Sequence, residues 1–134
     1  MKFTPYLNFD GRCEEAFQFY ERVLDGKITF KMTYGESPMP GDQMPAGWAG
    51  KMMHMTLTVG DQILQGSDAP GDQFQKPQGI SVAVSLTDTG QAERVFAGLA
   101  EDGNVGMPIQ QTFWAKRFGM VTDRFGIPWM INCA

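Results

Sequence analysis

The chain has the length of one domain and the composition of a globular protein. Its 134 residues are enough to bury a core, and 43% hydrophobic and 19% charged residues are ordinary globular fractions. The net charge of −4 and the scattered Lys and Arg residues exclude a basic stripe for nucleic acid. Apolar runs are too short for a membrane span, and the first residues resemble no export signal, so we expect a cytoplasmic protein without nucleic acid or membrane partners.

The first half of the chain alternates strand and helix patterns. An extended run, FTPYLNF, precedes CEEAFQFYERVLDG, where apolar residues recur at i, i+3, i+4, i+7 and i+8. These residues are Ala16, Phe19, Tyr20, Val23 and Leu24. Gly26 follows and suits a left-handed C-cap. Three β-rich runs come next: KITFKMTY, KMMHMTLTV and QILQGS.

The second half repeats this order of elements. The run ISVAVSL precedes TGQAERVFAGLAEDG, and five apolar residues of this helix each lie 76 residues after a counterpart in the first: Ala92, Val95, Phe96, Leu99 and Ala100. Thr87 or Asp88 can cap the helix start and Gly103 its end. The runs VGMPIQQTFW, RFGMVTD and IPWMINC complete the half, and TDRFG at 122–126 predicts a hairpin turn.

Each half therefore predicts a βαβββ module. One such module cannot bury its sheet face alone, so we expect the two to pack into one curved sheet. The prediction is a single α+β domain over 1–134, with module 1 at about 1–66, a loop at 67–79 and module 2 at about 80–134. Cys13 and Cys133, far apart in sequence, are expected to be reduced structural thiols.

The chain resembles the vicinal oxygen chelate superfamily, which includes glyoxalase I, extradiol dioxygenases, and bleomycin- and fosfomycin-resistance proteins. Three stretches carry the resemblance, which is strongest to the PhnB-like branch: TPYLNFDGRCEEAFQFY, MMHMTLTVGDQILQGSD and MPIQQTFWAKRFGMVTDRFGIPWMINC. It implies a cup-shaped mixed sheet with the helices outside, and a homodimer. Some members of the branch carry the label of a ubiquinone-pathway methyltransferase, but the sequence has no glycine-rich nucleotide-binding turn.

Metal-dependent members of the superfamily use His, Gln or Glu at four positions that face the cup. The resemblance places these positions at Thr4 or Pro5, Thr56, Ser81 or Val82, and Trp129 or Met130. None of these side chains is a strong ligand for a hard or borderline cation. We therefore expect no metal ligands, no tightly bound metal and no other cofactor.

His54 is the only histidine in the sequence. Strand alternation places Met52, Thr56 and Thr58 on its face of the strand, and the resemblance places that face inside the cup. A lone histidine beside hydroxyl groups cannot form a closed metal site. It is either a hydrogen-bonded histidine of the cavity wall or core, or a base or donor that contacts a ligand.

Aromatic and basic residues provide the other candidates for a binding site. Trp114, Phe118 and Trp129, with Met32 and Tyr34, could line an apolar pocket for a planar ligand, or could simply pack the sheet. Lys116 and Arg117 could bind a carboxylate or phosphate at the cup mouth, or form a solvated turn.

The leading hypothesis is a homodimer that binds an unknown small organic molecule in an apolar cup without a tightly held metal. The predicted ligand-binding residues are His54, Thr56, Trp114, Arg117, Phe118 and Trp129. The alternative is a metal-dependent or His-assisted enzyme of the glyoxalase or dioxygenase kind, in which His54 is the candidate catalytic residue. A structural dimer without a ligand is the third possibility.

Overall fold

The protein is described by a computed structural model that covers residues 1–38 and 40–134. Within these residues lie the helices α1 (Cys13–Val23) and α2 (Thr89–Ala100). The strands are β1 (Tyr6–Phe9), β2 (Lys27–Thr33), β3 (Met52–Val59), β4 (Gln62–Asp68), β5 (Val82–Leu86), β6 (Asn104–Gln110), β7 (Arg117–Thr122) and β8 (Pro128–Cys133). Neither helix in this part of the chain is long and apolar enough to cross a membrane.

The chain divides into two compact units, residues 1–75 and 76–134. The sheet of the first unit has the order β1-β4-β3-β2, and that of the second has the order β5-β8-β7-β6. Strand β1 runs parallel to β4, and β5 runs parallel to β8, while the other neighbouring strands in each sheet run antiparallel. Each unit therefore contains a βαβββ module with a four-stranded mixed sheet, which confirms the α+β fold predicted from the sequence.

In the first unit, α1 packs on one face of the sheet. Met55 and Leu57 of β3 are fully buried, and Gly66 of β4 pairs with Met55 in register. A Cβ on Gly66 would lie 2.8 Å from the ring of Phe17, so a glycine is needed where this ring lies against the strand. The helix-facing side is therefore defined by Met55, Leu57 and Gly66.

In the second unit, an aromatic ring of the helix also packs against a glycine of a strand. Phe96 of α2 lies against Gly119 of β7, where a Cβ would approach the ring to 2.6 Å. Trp129, Ile131 and Cys133 alternate along β8 and are all buried. Because side chains alternate between the faces of a strand, the residues between them lie on the opposite face.

The helix ends differ from the sequence prediction. Gly26 and Gly103 were expected to adopt the left-handed conformation, but the residues that do so are Asp25 (φ 54°) and Asp102 (φ 57°). Aspartate tolerates this region better than most residues do. Close packing explains the glycine at 103 instead, since a Cβ there would lie 2.5 Å from the carbonyl oxygen of Thr122.

The helix starts are capped in two different ways. Asp88 caps α2 by accepting a 2.8 Å hydrogen bond from the backbone N–H of Gln91, as predicted. The start of α1 depends instead on Asp68, at the end of β4, whose Oδ1 accepts hydrogen bonds from the N–H groups of Gly11 and Cys13. The N-terminus of α1 is thus held by a residue more than fifty positions away.

A second buried carboxylate organises the turn between β7 and β8. Asp123 Oδ1 accepts hydrogen bonds from the N–H groups of Phe125 and Ile127, and Gly126 has a φ of 89°. The predicted hairpin turn is confirmed. Both cysteines are buried free thiols, as expected.

Candidate functional site

The face of the first sheet opposite α1 carries a cluster of aromatic and hydroxyl side chains around His54. The Nδ1 atom of His54 lies 3.3 Å from the Tyr6 hydroxyl, and Nε2 lies 3.3 Å from the Thr56 hydroxyl. The rings of Tyr6 and Phe30 lie 5.7 and 5.8 Å from the imidazole, centroid to centroid. We call Tyr6, Phe30, His54 and Thr56 the His54 cluster.

The His54 cluster remains open to solvent although it is largely aromatic. Tyr6 is 46% exposed and Phe30 is 47% exposed. Both ring nitrogens of His54 face hydroxyl groups, which can donate or accept. The cluster therefore offers flat apolar surface beside groups that can exchange a hydrogen bond with a ligand.

Two β-bulges decide which side chains reach this face. The register between β2 and β3 shifts between Ile28 and Phe30, and again between Met32 and Thr33. The second shift breaks the strict alternation that predicted Met52 on the face of His54. Met52 is instead buried, at 3% exposure, and its N–H donates a 2.9 Å hydrogen bond to Asp68 Oδ2.

The open face of the second sheet carries a different set of residues. Phe118 of β7 and Asn132 of β8 are paired in register, and the ring of Trp114 lies 5.3 Å from that of Phe118. Trp114 belongs to a turn in which the Thr112 hydroxyl accepts hydrogen bonds from the N–H groups of residues 114 and 115. The turn holds Trp114 against Phe118 while 52% of the tryptophan side chain stays exposed.

Two predicted ligand-binding residues lie on the helix-facing side of this sheet instead. Arg117 precedes Phe118 in β7, so its side chain takes the other face, where it forms a 2.8 Å ion pair with Glu93 of α2. Trp129 is 1% exposed, and its indole N–H donates a 2.8 Å hydrogen bond to Asp123. The structure thus separates these two residues from Trp114 and Phe118 and places Trp129 in the core.

The other two residues that were predicted to line an apolar pocket lie in the first unit. Met32 is paired in register with His54, beside the His54 cluster. Tyr34 is only 8% exposed and donates a 2.7 Å hydrogen bond to the backbone oxygen of Asp68. Tyr34 is therefore a core residue.

The positions that correspond to metal ligands in the superfamily do not form a donor set. The open faces hold Thr56 and Met130. The others lie outside the strands or on a helix-facing side: Thr4, Pro5, Ser81, Val82 and Trp129. Within residues 1–38 and 40–134, no three His, Cys, Asp or Glu side chains come together in a group that could hold a metal ion. A hydroxyl and a thioether do not fit a hard divalent cation.

Three residues of the open faces were not among the site residues predicted from the sequence. Tyr6 could have been found from alternation, because Leu7 and Phe9 on either side of Asn8 are buried and Tyr6 must face the other way. Phe30 could not, because the bulge that redirects β2 has no signature in the sequence. Asn132 is two residues beyond Met130, on the same face of β8, and alternation alone identifies it.

Comparison with known proteins connects this architecture to a family. The model of the family described as 3-demethylubiquinone-9 3-methyltransferase matches residues 1–132. The chain belongs to this family. This family corresponds to the PhnB-like branch of the vicinal oxygen chelate superfamily, as the sequence predicted.

Individual relatives match over nearly the whole chain. Protein PA1353 from Pseudomonas aeruginosa is 41% identical, with a TM-score of 0.87 over 99% of this chain and 97% of that one. A putative 3-demethylubiquinone-9 3-methyltransferase, PhnB protein, from Bacillus cereus is 29% identical, with a TM-score of 0.82 over the full length of both chains. Protein YjdN from Escherichia coli (strain K12) is 32% identical over 98% of this chain and 95% of its own length.

Membership of the PhnB-like family establishes the fold, while an activity must be argued from the site. Methyl transfer needs a methyl donor, and the donor-binding turn sought in the sequence was a glycine-rich connection from a strand to a helix. In the structure, β1 leads to α1 through DGR and β5 leads to α2 through TD. The family description therefore finds no support in these two connections.

Proposed function

We propose that this protein binds a small organic molecule on the open faces of its sheets, without a tightly bound metal. The observation that carries the proposal is the His54 cluster, where two half-exposed aromatic rings flank a histidine whose nitrogens face hydroxyl groups. Ligand sites typically combine apolar surface with a few placed polar groups. This cluster has that composition.

The chemistry of the cluster favours an aromatic ligand with a polar substituent. Rings at 5.7 and 5.8 Å from the imidazole offer edges and faces against which another ring can pack. The Tyr6 and Thr56 hydroxyls and the imidazole can each exchange a hydrogen bond with a hydroxyl or carbonyl group of the ligand. A phenol or naphthol matches both features.

The same chemistry disfavours the enzyme alternatives. A glyoxalase-like or dioxygenase-like metal centre needs charged or strongly basic ligands, and the superfamily positions on the open faces supply a threonine and a methionine. A His-assisted reaction gains from a carboxylate that orients the imidazole, whereas the partners of His54 are the hydroxyls of Tyr6 and Thr56. Binding without chemistry requires neither feature.

We also propose a homodimer. Each four-stranded sheet ends in two edge strands, β1 and β2 in one unit and β5 and β6 in the other. Edge strands expose unpaired backbone groups, and association between copies is a common way to cover them. Sedimentation equilibrium tests this: a species of about twice 14.9 kDa is expected, and a monomer at every concentration contradicts it.

Titration with 2-naphthol, followed by ¹⁵N-edited NMR, tests the binding proposal. Saturable shifts are expected for residues of the His54 cluster. Phe30→Ala should weaken binding by about fivefold to tenfold, since an aromatic contact contributes about 1 kcal/mol. Phe3→Ala is the matched control, because Phe3 is 93% exposed and lies before β1. The proposal fails if 2-naphthol does not saturate the wild-type protein, or if both variants weaken binding equally.

A further inference from the structure

The open face of the second sheet contains a buried acceptor without a hydrogen-bond partner. Among the described residues, Asn132 Oδ1 is a buried side-chain oxygen to which no group donates. Leaving such an oxygen unpaired destabilises a folded protein, and most buried polar atoms are therefore paired. An unpaired acceptor at a defined position indicates a role that the stability of the fold does not explain.

The neighbours of Asn132 form a small surface with mixed character. Phe118 is paired with it in register on β7, and Ser85 is paired with it on β5. Residues paired in register share a face, so an aromatic ring and an exposed hydroxyl flank the amide. Trp114 extends the aromatic side, with its ring 5.3 Å from that of Phe118.

We propose that Asn132 accepts a hydrogen bond from an N–H or O–H group of a planar, apolar ring that packs against Phe118 and Trp114. The inference rests on the proposed binding function and adds a subsite in the second unit. Asn132 remains partly exposed as a residue and its terminal side-chain torsion is soft, so the amide can turn its oxygen toward the open face when a donor binds. The partner must be a donor, because the unpaired atom is an acceptor.

The side chains that form this subsite favour an uncharged ring. Arg117 lies next to Phe118 in the sequence, but its side chain is on the other face and paired with Glu93. The groups that Asn132, Ser85 and Phe118 present are neutral. Against these three side chains an anionic ligand would leave water without gaining a cation, which costs free energy.

Indole and 1-methylindole form a matched pair of probes for the subsite. They differ in whether the ring nitrogen carries a hydrogen, so a hydrogen bond to Asn132 should favour indole by about fivefold. NMR titration of ¹⁵N-labelled protein measures both affinities and locates them through the indole N–H of Trp114. In Asn132→Leu, which removes the acceptor at similar volume, the two probes should bind equally.

Stability provides a second readout of Asn132→Leu. The ligand-free variant should melt no lower than the wild type, because it loses an unpaired buried oxygen and no hydrogen bond. Asn104→Leu, at an exposed position of β6, is the control and should retain the preference for indole.

Equal binding of the two probes to the wild-type protein overturns the inference, and so does no saturable binding of either probe. A preference that survives in Asn132→Leu also overturns it. The wider binding proposal is judged separately, by the shifts that 2-naphthol causes at the His54 cluster and by their weakening in Phe30→Ala, a change in the other unit. A failure at Asn132 is therefore distinguishable from a failure at the His54 cluster.

Discussion

Replacing Asp68 by asparagine tests the account of how the first unit is held together. Asp68 is 1% exposed, and its carboxylate accepts three backbone hydrogen bonds of 2.9 Å. Oδ1 accepts from Gly11 and Cys13 at the start of α1, while Oδ2 accepts from Met52 at the start of β3. One carboxylate thus ties the helix, β3 and its own strand β4 together.

The size of the destabilisation follows from how many of these three hydrogen bonds an amide can keep. Asparagine keeps one oxygen, so in its best orientation it retains the bonds to Gly11 and Cys13 and points an N–H at the N–H of Met52. The variant therefore loses a hydrogen bond to a charged acceptor and leaves buried donors unpaired, a cost of about 2–4 kcal/mol. With an unfolding entropy of about 2.1 cal/mol/K per residue, the melting temperature should fall by roughly 7–14 °C.

Thermal unfolding followed by circular dichroism measures this shift. Asp72→Asn makes the same chemical change at an exposed aspartate and should leave the melting temperature within about 1–2 °C of the wild type. Equal melting temperatures for the Asp68 and Asp72 variants would show that Asp68 does not hold the three elements together.

Three further predictions concern other parts of the molecule. Burial, and then the charge of Asp68, raise the pKa of the Cys13 thiol; unfolding lets it ionise, so the free energy of unfolding should fall above about pH 8.5 by up to about 1.4 kcal/mol per pH unit. Urea unfolding at about pH 8 and about pH 10 should show a smaller loss in Cys13→Ala, and an identical slope contradicts this. Gly103→Ala should lower the free energy of unfolding in urea by about 1–3 kcal/mol, because the new Cβ would clash with the Thr122 carbonyl oxygen. Gly50→Ala is the control and should have no such effect, because a Cβ there would meet no atom within 4 Å beyond its chain neighbours. Similar urea midpoints for the two variants would refute the steric explanation. Calorimetry with Zn²⁺, Ni²⁺ or Mn²⁺ should show no stoichiometric submicromolar site, even in Thr56→Glu, and one tight ion per chain in the wild type would favour a metalloenzyme.

The modules could be predicted from the sequence because their signals are local and periodic. Ala92, Val95, Phe96 and Leu99 recur at helical spacing, and all four are buried in α2. In α1 the same reasoning found Ala16, Phe19 and Tyr20 but not Cys13 and Phe17, which widen the buried face. Periodicity therefore gave the element and its inner side, while the extent of the face depended on the glycine at 66 that admits Phe17.

The candidate site was harder to predict because it depends on interactions between distant residues. Tyr6 reaches His54 only because β1 pairs with β4 and β4 pairs with β3, a relation that no short stretch encodes. Phe30 reaches it through a bulge. Arg117 and Phe118 are adjacent in sequence and were both predicted to bind the ligand, yet the pleat of the strand sends them to opposite faces.

The two units also show why a family match speaks to the fold more directly than to the function. The helix-facing sides of the two units are packed in the same way. In each unit an aromatic ring of the helix lies against a glycine of a strand, Gly66 in the first and Gly119 in the second. Their open faces differ: one centres on His54 between hydroxyls, the other on Asn132 beside aromatic rings. Core packing limits which residues can occupy the helix-facing sides, whereas ligand binding would limit which residues can occupy the open faces. A function for this chain must therefore be argued from His54 and Asn132, whose surroundings supply ring surface and hydrogen bonds, and these are the requirements of recognition.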